Sequence, residues 1–138
     1  MKQCNQSKKY ILFMAMVLPG VFPQLRGQTT STAIGTWRTV TPASGSVTGR
    51  EENSYVAAGN KFYLIGGRGI SPVQEYNPVK KSWLNKGKPP LEIHHFQAVT
   101  LHGLVYAVAG MRGPYPQEVP LSRVYVYNPL SDKWFAGS

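Results

Sequence analysis

The chain has a single cysteine, Cys4, and few acidic residues: six Asp and Glu stand against fifteen Lys and Arg. One thiol excludes an internal disulfide. Because Cys4 lies ahead of the point where the mature chain is expected to start, a thiolate metal site and a cysteine nucleophile are excluded as well. Long hydrophobic runs are also missing. The stretch Ile11–Val17, continuing loosely to Phe22, falls short of the roughly 20 apolar residues that a transmembrane helix needs. From Ile34 onward no long apolar pattern of period 3.6 is present, which argues against a helical core.

Part of the charge imbalance belongs to one end. Lys2, Lys8 and Lys9 precede the apolar run, Pro19-Gly20 break it, and a polar exit follows. That order is the order of a secretory leader. Residues 1–27 therefore read as a signal peptide, with cleavage expected between 27 and 33. The product is expected outside the cytoplasm: extracellular, periplasmic or on the cell surface, with no membrane span in the mature chain. Cys4 lies upstream of the apolar run, so lipid attachment of the bacterial type is not expected. Without Lys2, Lys8, Lys9 and Arg26, eleven basic residues face six acidic ones, and the formal charge drops from +9 to +5. Lys80, Lys81, Lys86 and Lys88 form the one basic cluster and flank a turn. A nucleic-acid partner is not expected, since it would call for a basic stripe or a recognisable binding module.

What the sequence does contain is a repeat. Tyr76-Asn77-Pro78…Trp83 returns as Tyr127-Asn128-Pro129…Trp134 with a shift of 51, and Gly59 to Gly67 matches His102 to Gly110 with a shift of 43. An insertion of eight residues separates the two anchors of the second copy. A unit of this kind cannot bury its own apolar face and must stack on a neighbour. Short β-prone runs punctuated by Gly, Pro and aromatic residues make the chain all-β. Each copy reads as four strands, and in the second these are Phe96 to Leu101, Leu104 to Ala109, Arg123 to Tyr127 and Lys133 to Phe135. Asn60-Lys61 and His102-Gly103 supply turn residues able to adopt positive φ. Asn-Pro ends the third strand of both copies, because proline cannot donate to a ladder. Gly66-Gly67 marks a close backbone approach or an unusual φ, and Trp83 and Trp134 are expected in the seam between adjacent sheets.

These residues resemble the kelch-repeat β-propellers, whose blade of about 50 residues carries a Gly-Gly after the second strand, an aromatic third strand with a turn, and then a Trp. Gly66-Gly67, Tyr76 and Trp83 fit that pattern, as do Gly103, Tyr106, Tyr127 and Trp134, while Ala109 replaces one glycine of the second copy. The resemblance implies a partial β-propeller: residues 34–49 as an N-terminal closing strand (Gly35 to Val40) and linker, 50–89 as a first four-stranded antiparallel blade and 90–138 as a second. Further blades, in cis or in trans, are then expected partners. The chain is expected to be the start of a longer protein, a truncated product, or a subunit that builds a ring with other chains.

Function in such a framework sits on the loops. Arg50 and Glu52, with Glu51, start the innermost strand of the first copy, and His94, His95 and Gln97 occupy the equivalent place in the second. Arg68 follows the double glycine. Arg112, Tyr115, Gln117 and Glu118 lie in the insertion. Arg68, Arg112, Tyr115 and Glu118 offer planar donors, an aromatic face and a carboxylate, a set suited to a polyhydroxylated ligand. Neighbouring residues on a strand point to opposite faces, so neither His94-His95 nor Glu51-Glu52 is expected to converge on one ion or one proton. No metal and no cofactor is expected. The reading is a recognition module that binds a glycan or a protein, with no catalytic residue assigned. His94-His95-Phe96-Gln97-Ala98-Val99 and Gly113 to Glu118 also look like kelch domains at the start of large exported bacterial proteins, which implies extracellular recognition. The alternative is a fragment of a kelch-fold carbohydrate enzyme, similar to a sialate mutarotase or a galactose oxidase. The second of these needs a Cys that the mature segment lacks.

Overall fold

The computed structural model describes residues 35–137, and the expected leader over 1–27 lies outside them. Ten strands follow one another: β1 (Asn53–Ala58), β2 (Lys61–Gly66), β3 (Gln74–Asn77), β4 (Ser82–Asn85), β5 (Gln97–Leu101), β6 (Leu104–Val108), β7 (Met111–Arg112), β8 (Val119–Pro120), β9 (Tyr125–Asn128) and β10 (Lys133–Ala136). They form two four-stranded antiparallel sheets, β1-β2-β3-β4 and β5-β6-β9-β10, and the small hairpin β7-β8. All-β architecture with consecutive meandering sheets is what the repeat called for. Among the described residues no helix is long and apolar enough to cross a membrane.

The repeat is visible in register. Phe62 lies opposite Tyr76 and Tyr76 opposite Trp83, just as Val105 lies opposite Tyr127 and Tyr127 opposite Trp134. Both Asn-Pro turns close in the same way, because the asparagine carboxamide oxygen accepts from the backbone two and three residues ahead. Asn77 Oδ1 takes Val79 N and Lys80 N, each at 3.0 Å, and Asn128 Oδ1 takes Leu130 N at 2.9 Å and Ser131 N at 3.2 Å. The equivalent residues Lys81 and Asp132 then take φ of 50° and 54°. The first hairpin turns on Gly59-Asn60, one residue earlier than expected, so that Lys61 opens β2.

Period-two alternation gives each sheet two faces. Ser54, Tyr63 and Ile65 of the first sheet are buried and meet Ala98, Val105 and Tyr127 of the second, with Trp134 packed against the cluster. Tyr63 and Tyr127 touch edge to face at 6.1 Å. Polar groups tie the seam: Ala98 N donates to Ser54 Oγ at 2.9 Å and Thr100 Oγ1 to the Ala57 carbonyl at 2.6 Å, while within the second sheet Tyr127 Oη donates to Asp132 Oδ1 at 2.8 Å. Asp132 Oδ1 also accepts from Gly87 N at 2.8 Å, on the stretch joining the sheets.

The two tryptophans part company here. Trp134 lies in the seam, 5.2 Å from the Tyr127 ring. Trp83 lies on the far face of the first sheet with Tyr55, Phe62 and Tyr76, where Tyr55 and Phe62 stack at 5.5 Å and Tyr76 and Trp83 meet at 4.9 Å. These four residues are the repeat equivalents of Ala98, Val105, Tyr127 and Trp134. The first sheet thus shows, on its outer side, the face by which the second sheet packs. The far side of the second sheet carries Val99, Leu101, Val108 and Phe135, all exposed.

The strand expected over Gly35–Val40 is not found: those residues form no strand and no ladder in the described structure. Trp37 is exposed. In the compact unit Arg38–Ser138 the first pairing is the isolated parallel bridge Ser44–Ser82. Trp83 N donates to the Ser44 carbonyl at 3.0 Å, and Gln74 links to the same segment through Thr48 N at 2.8 Å and the Ser46 carbonyl at 3.2 Å.

Candidate functional site

At one end of the two sheets β1 and β5 begin and β2 and β6 end, and four backbone segments meet there. Gly67 N donates to the Ile93 carbonyl at 2.8 Å, Arg68 N to the Glu51 carbonyl at 3.2 Å and His95 N to the Glu52 carbonyl at 3.2 Å; His94 and Met111 exchange bonds of 2.9 and 2.8 Å. The double glycine permits this convergence. Gly66 has φ of 67°, and a Cβ there would lie 2.4 Å from the Ile93 carbonyl oxygen and 2.5 Å from the Phe96 ring. Ala109 takes the equivalent positive φ, 56°, in the second copy.

Arg68 is the hub. Its Nη1 donates to the Gly113 carbonyl at 3.0 Å and its Nη2 to Glu52 Oε1 at 3.0 Å, while Nη2 also pairs with Glu118 Oε1. Nε lies 2.6 Å from Glu52 Oε2 but without hydrogen-bond alignment, and that buried oxygen has no hydrogen-bond donor. The hydrogen bonds to Glu52 and Glu118 raise the guanidinium above its ordinary range, and the bond from Arg68 holds the Glu118 carboxyl below its own. Glu92 joins the same loops from the other side: Oε1 accepts from Gly69 N at 2.7 Å and Oε2 from Gly113 N at 2.9 Å. Those two backbone donors lower its pKa.

His94 is fully buried. Its Nε2 lies 3.1 Å from the Gly113 carbonyl and its Nδ1 lies 3.0 Å from His95 Nδ1. Divergence of the two histidines, expected from strand geometry, is overturned. Neither lies in a ladder strand, and His95 has φ of 49°, which swings its ring back beside that of His94. Glu52 has φ of 54° and turns inward in the same manner, away from the exposed Glu51. Glu52, His94, His95 and Glu118 bring one ligand atom each to within 4.8 Å of one another.

Of the residues singled out from sequence, Arg68, Glu52, His94, His95 and Glu118 come together and the others do not. Arg50 is a strut, donating to the carbonyls of Gly66 at 3.2 Å and Pro72 at 3.0 Å and to Gln74 Oε1 at 3.1 Å. Gln97 turns its amide to the Ala98 carbonyl at 3.1 Å. Arg112 and Tyr115 are exposed on the insertion, where β7-β8 and the bond from Gln117 N to the Pro114 carbonyl at 2.8 Å brace the loop. Between the loops a shallow cavity of about 340 Å³ is lined by Ile70, Leu91, Glu92, Arg112 and Val119. Glu92 and the Gly113 backbone were not foreseen as structural partners of the cluster; nothing in their spacing signals the role.

Fold and repeat define the class: two consecutive blades of β-propeller type. Residues 93–137 match the family model of the Kelch motif. The chain is 32% identical over 92 residues to Kelch-like protein 23 of Homo sapiens and, likewise, of Pongo abelii, alignments that cover 62% of this chain and 16% of those proteins. Kelch-like protein 35 of Mus musculus is 25% identical over 104 residues, covering 72% of this chain and 16% of that protein. The chain therefore spans a small part of the length of the curated relatives it matches. Over the matched residues the chain is similar to kelch-repeat proteins.

Proposed function

We propose that the chain is the recognition part of an exported kelch propeller and that it binds a protein partner through the loop end built around Arg68. The observation that carries this reading is the braced insertion. Arg68 and Glu92 grip Gly113 from two sides, so Arg112 and Tyr115 stand exposed on a loop whose base is fixed. A rigid aromatic and an arginine at low ordering cost are the residues that dominate protein interfaces. A glycan is the second reading, favoured by the exposed Tyr115 ring, which offers a flat apolar surface of the kind a pyranose stacks on. Further blades, in cis or in trans, are partners of another kind. The outer face of the first sheet repeats the packing face of the second, and the far side of the second sheet exposes Val99 and Phe135. Export rests on the order of charge and apolarity in residues 1–27.

The test is partner capture from extracellular protein extracts and a glycan array, each with the native chain, Tyr115→Ala and Arg112→Ala. Binding that falls at least about tenfold in both variants, with folding intact, supports the loop as the recognition element. Binding that survives both substitutions refutes it. Incubation with freshly dissolved sialic acid, followed by proton NMR, separates this reading from a mutarotase: accelerated anomer exchange would replace recognition by catalysis.

A further inference from the structure

We propose that Glu52, His94 and His95 form a binding site for a divalent first-row transition ion, with Zn²⁺ as the reference case. His94 Nδ1, His95 Nδ1 and Glu52 Oε2 make a triangle with sides of 3.0, 3.2 and 3.5 Å. Zinc bonds of 2.0–2.2 Å in tetrahedral geometry set ligand atoms about 3.3–3.6 Å apart, so three donors already stand close to one face of such a tetrahedron. Glu118 Oε1, 3.8 Å from His95 Nδ1, or a water completes it.

His94 offers a lone pair as it stands, and His95 must give up the Nδ1 proton that it shares with His94 Nδ1, by moving to its Nε2 tautomer, when an ion enters. A carbonyl only accepts, so the contact of His94 Nε2 with Gly113 O places the proton on Nε2 and leaves the Nδ1 lone pair facing the triangle. A histidine that gives its other N–H to a carbonyl is the usual outer support of a metal-binding imidazole. Glu52 Oε2 is buried, and its one close cation, Arg68 Nε at 2.6 Å, is not aligned to donate a hydrogen bond, so an ion would take the place of that contact. The carboxylates of Glu52, Glu118 and Glu92 outnumber the single guanidinium of Arg68, so added positive charge is tolerated there. Arg68 keeps its bond to Glu52 Oε1 and orients that carboxylate from outside the ion. Imidazole and carboxylate together suit zinc, copper or nickel better than calcium or magnesium.

The adjacent histidines converge because His95 and Glu52 both take left-handed backbone, a conformation that costs of order 1–3 kcal/mol for a non-glycine residue and clusters at ligand sites. An ion here would join three segments: the approach to β1, the crossing between the sheets and the β7-β8 hairpin. It would thereby stiffen the base of the insertion.

The test uses the untagged full chain, stripped with a chelator and titrated with ZnCl₂ by calorimetry, alongside metal analysis after dialysis and the visible spectrum of the cobalt-loaded protein. One equivalent of zinc, a rise in Tm on loading and the d–d band of tetrahedral cobalt are expected. His95→Ala and Glu52→Gln should each weaken binding at least tenfold. His95 is the more informative variant because its side chain is 43% exposed and its removal leaves the seam intact. His102→Ala, in the β5-β6 turn, should bind as the native chain does. Absence of zinc binding overturns the proposal, as does binding that His95→Ala leaves unchanged, which would locate the ion elsewhere in the chain.

Discussion

Removing one oxygen from Tyr127 tests the seam between the sheets. The ring is fully buried, and its hydroxyl donates to Asp132 Oδ1 at 2.8 Å, where Gly87 N also donates at 2.8 Å. Burial alone would raise the Asp132 carboxyl, but the Gly87 and Tyr127 donors, with Lys86 and Lys133 nearby, outweigh it and the pKa is lowered. A hydrogen bond to a charged acceptor contributes about 1.5–3 kcal/mol, and Asp132 is partly solvated, which brings the expected loss in Tyr127→Phe to about 1–1.5 kcal/mol at pH 7. A carboxyl with a depressed folded pKa contributes stability above its unfolded value near 3.9, and that stability is lost as pH falls through the folded pKa. Urea unfolding of both proteins at pH 7 and pH 2 reads this directly. The gap should be present at pH 7 and smaller at pH 2, as the acceptor loses its charge on the way down through its folded pKa. A gap equal at both pH values, or none at pH 7, would refute the reasoning.

Ile65→Ala should destabilise by about 2–4 kcal/mol, because Ile65 is fully buried where the sheets meet and the neighbours cannot close the cavity; urea midpoints measure it. Gly66→Ala should cost more than about 1 kcal/mol, since the added methyl meets the Ile93 carbonyl at 2.4 Å in a positive-φ backbone. Gly59→Ala, with φ of 61° but open space, isolates the backbone part and should cost less. Glu92, lowered by the Gly69 and Gly113 amides, should hold both loops above its unfolded pKa near 4.3 and release them below the folded value. Hydrogen exchange at Gly69 and Gly113, corrected for intrinsic rates, should show that loss of protection on acidification, and Glu92→Gln should be insensitive to pH in the same range.

The sheets were legible because their signals are periodic or chemically forced. Tyr-Asn-Pro…Trp recurs because an Asx turn and an aromatic cross-strand pair are needed at the same place in each blade. Gly66-Gly67 was readable because no other residue tolerates that approach to Ile93. The loop end was not legible in the same degree. Convergence of His94 with His95 depends on one left-handed residue, and alternation along a strand pointed to the opposite result. The hairpin β7-β8 has two residues per strand, too few to show a period. Trp83 and Trp134 look identical in sequence, yet only the residue with a neighbouring sheet on its side is in a seam. Arg50, Gln97 and Arg68 were indistinguishable as loop-end polar residues until their partners were visible.

The central claim is that two consecutive sheets pack face to face, and the proton NOE pattern of Tyr127 tests it most directly. The structure predicts strong ring-to-ring NOEs between Tyr63 and Tyr127, with the Ala98 amide near Ser54, and none between Tyr127 and Tyr55 or Phe62. NOEs from Tyr127 to Tyr55 or Phe62 in place of Tyr63 would contradict the packing and with it the assignment of blades.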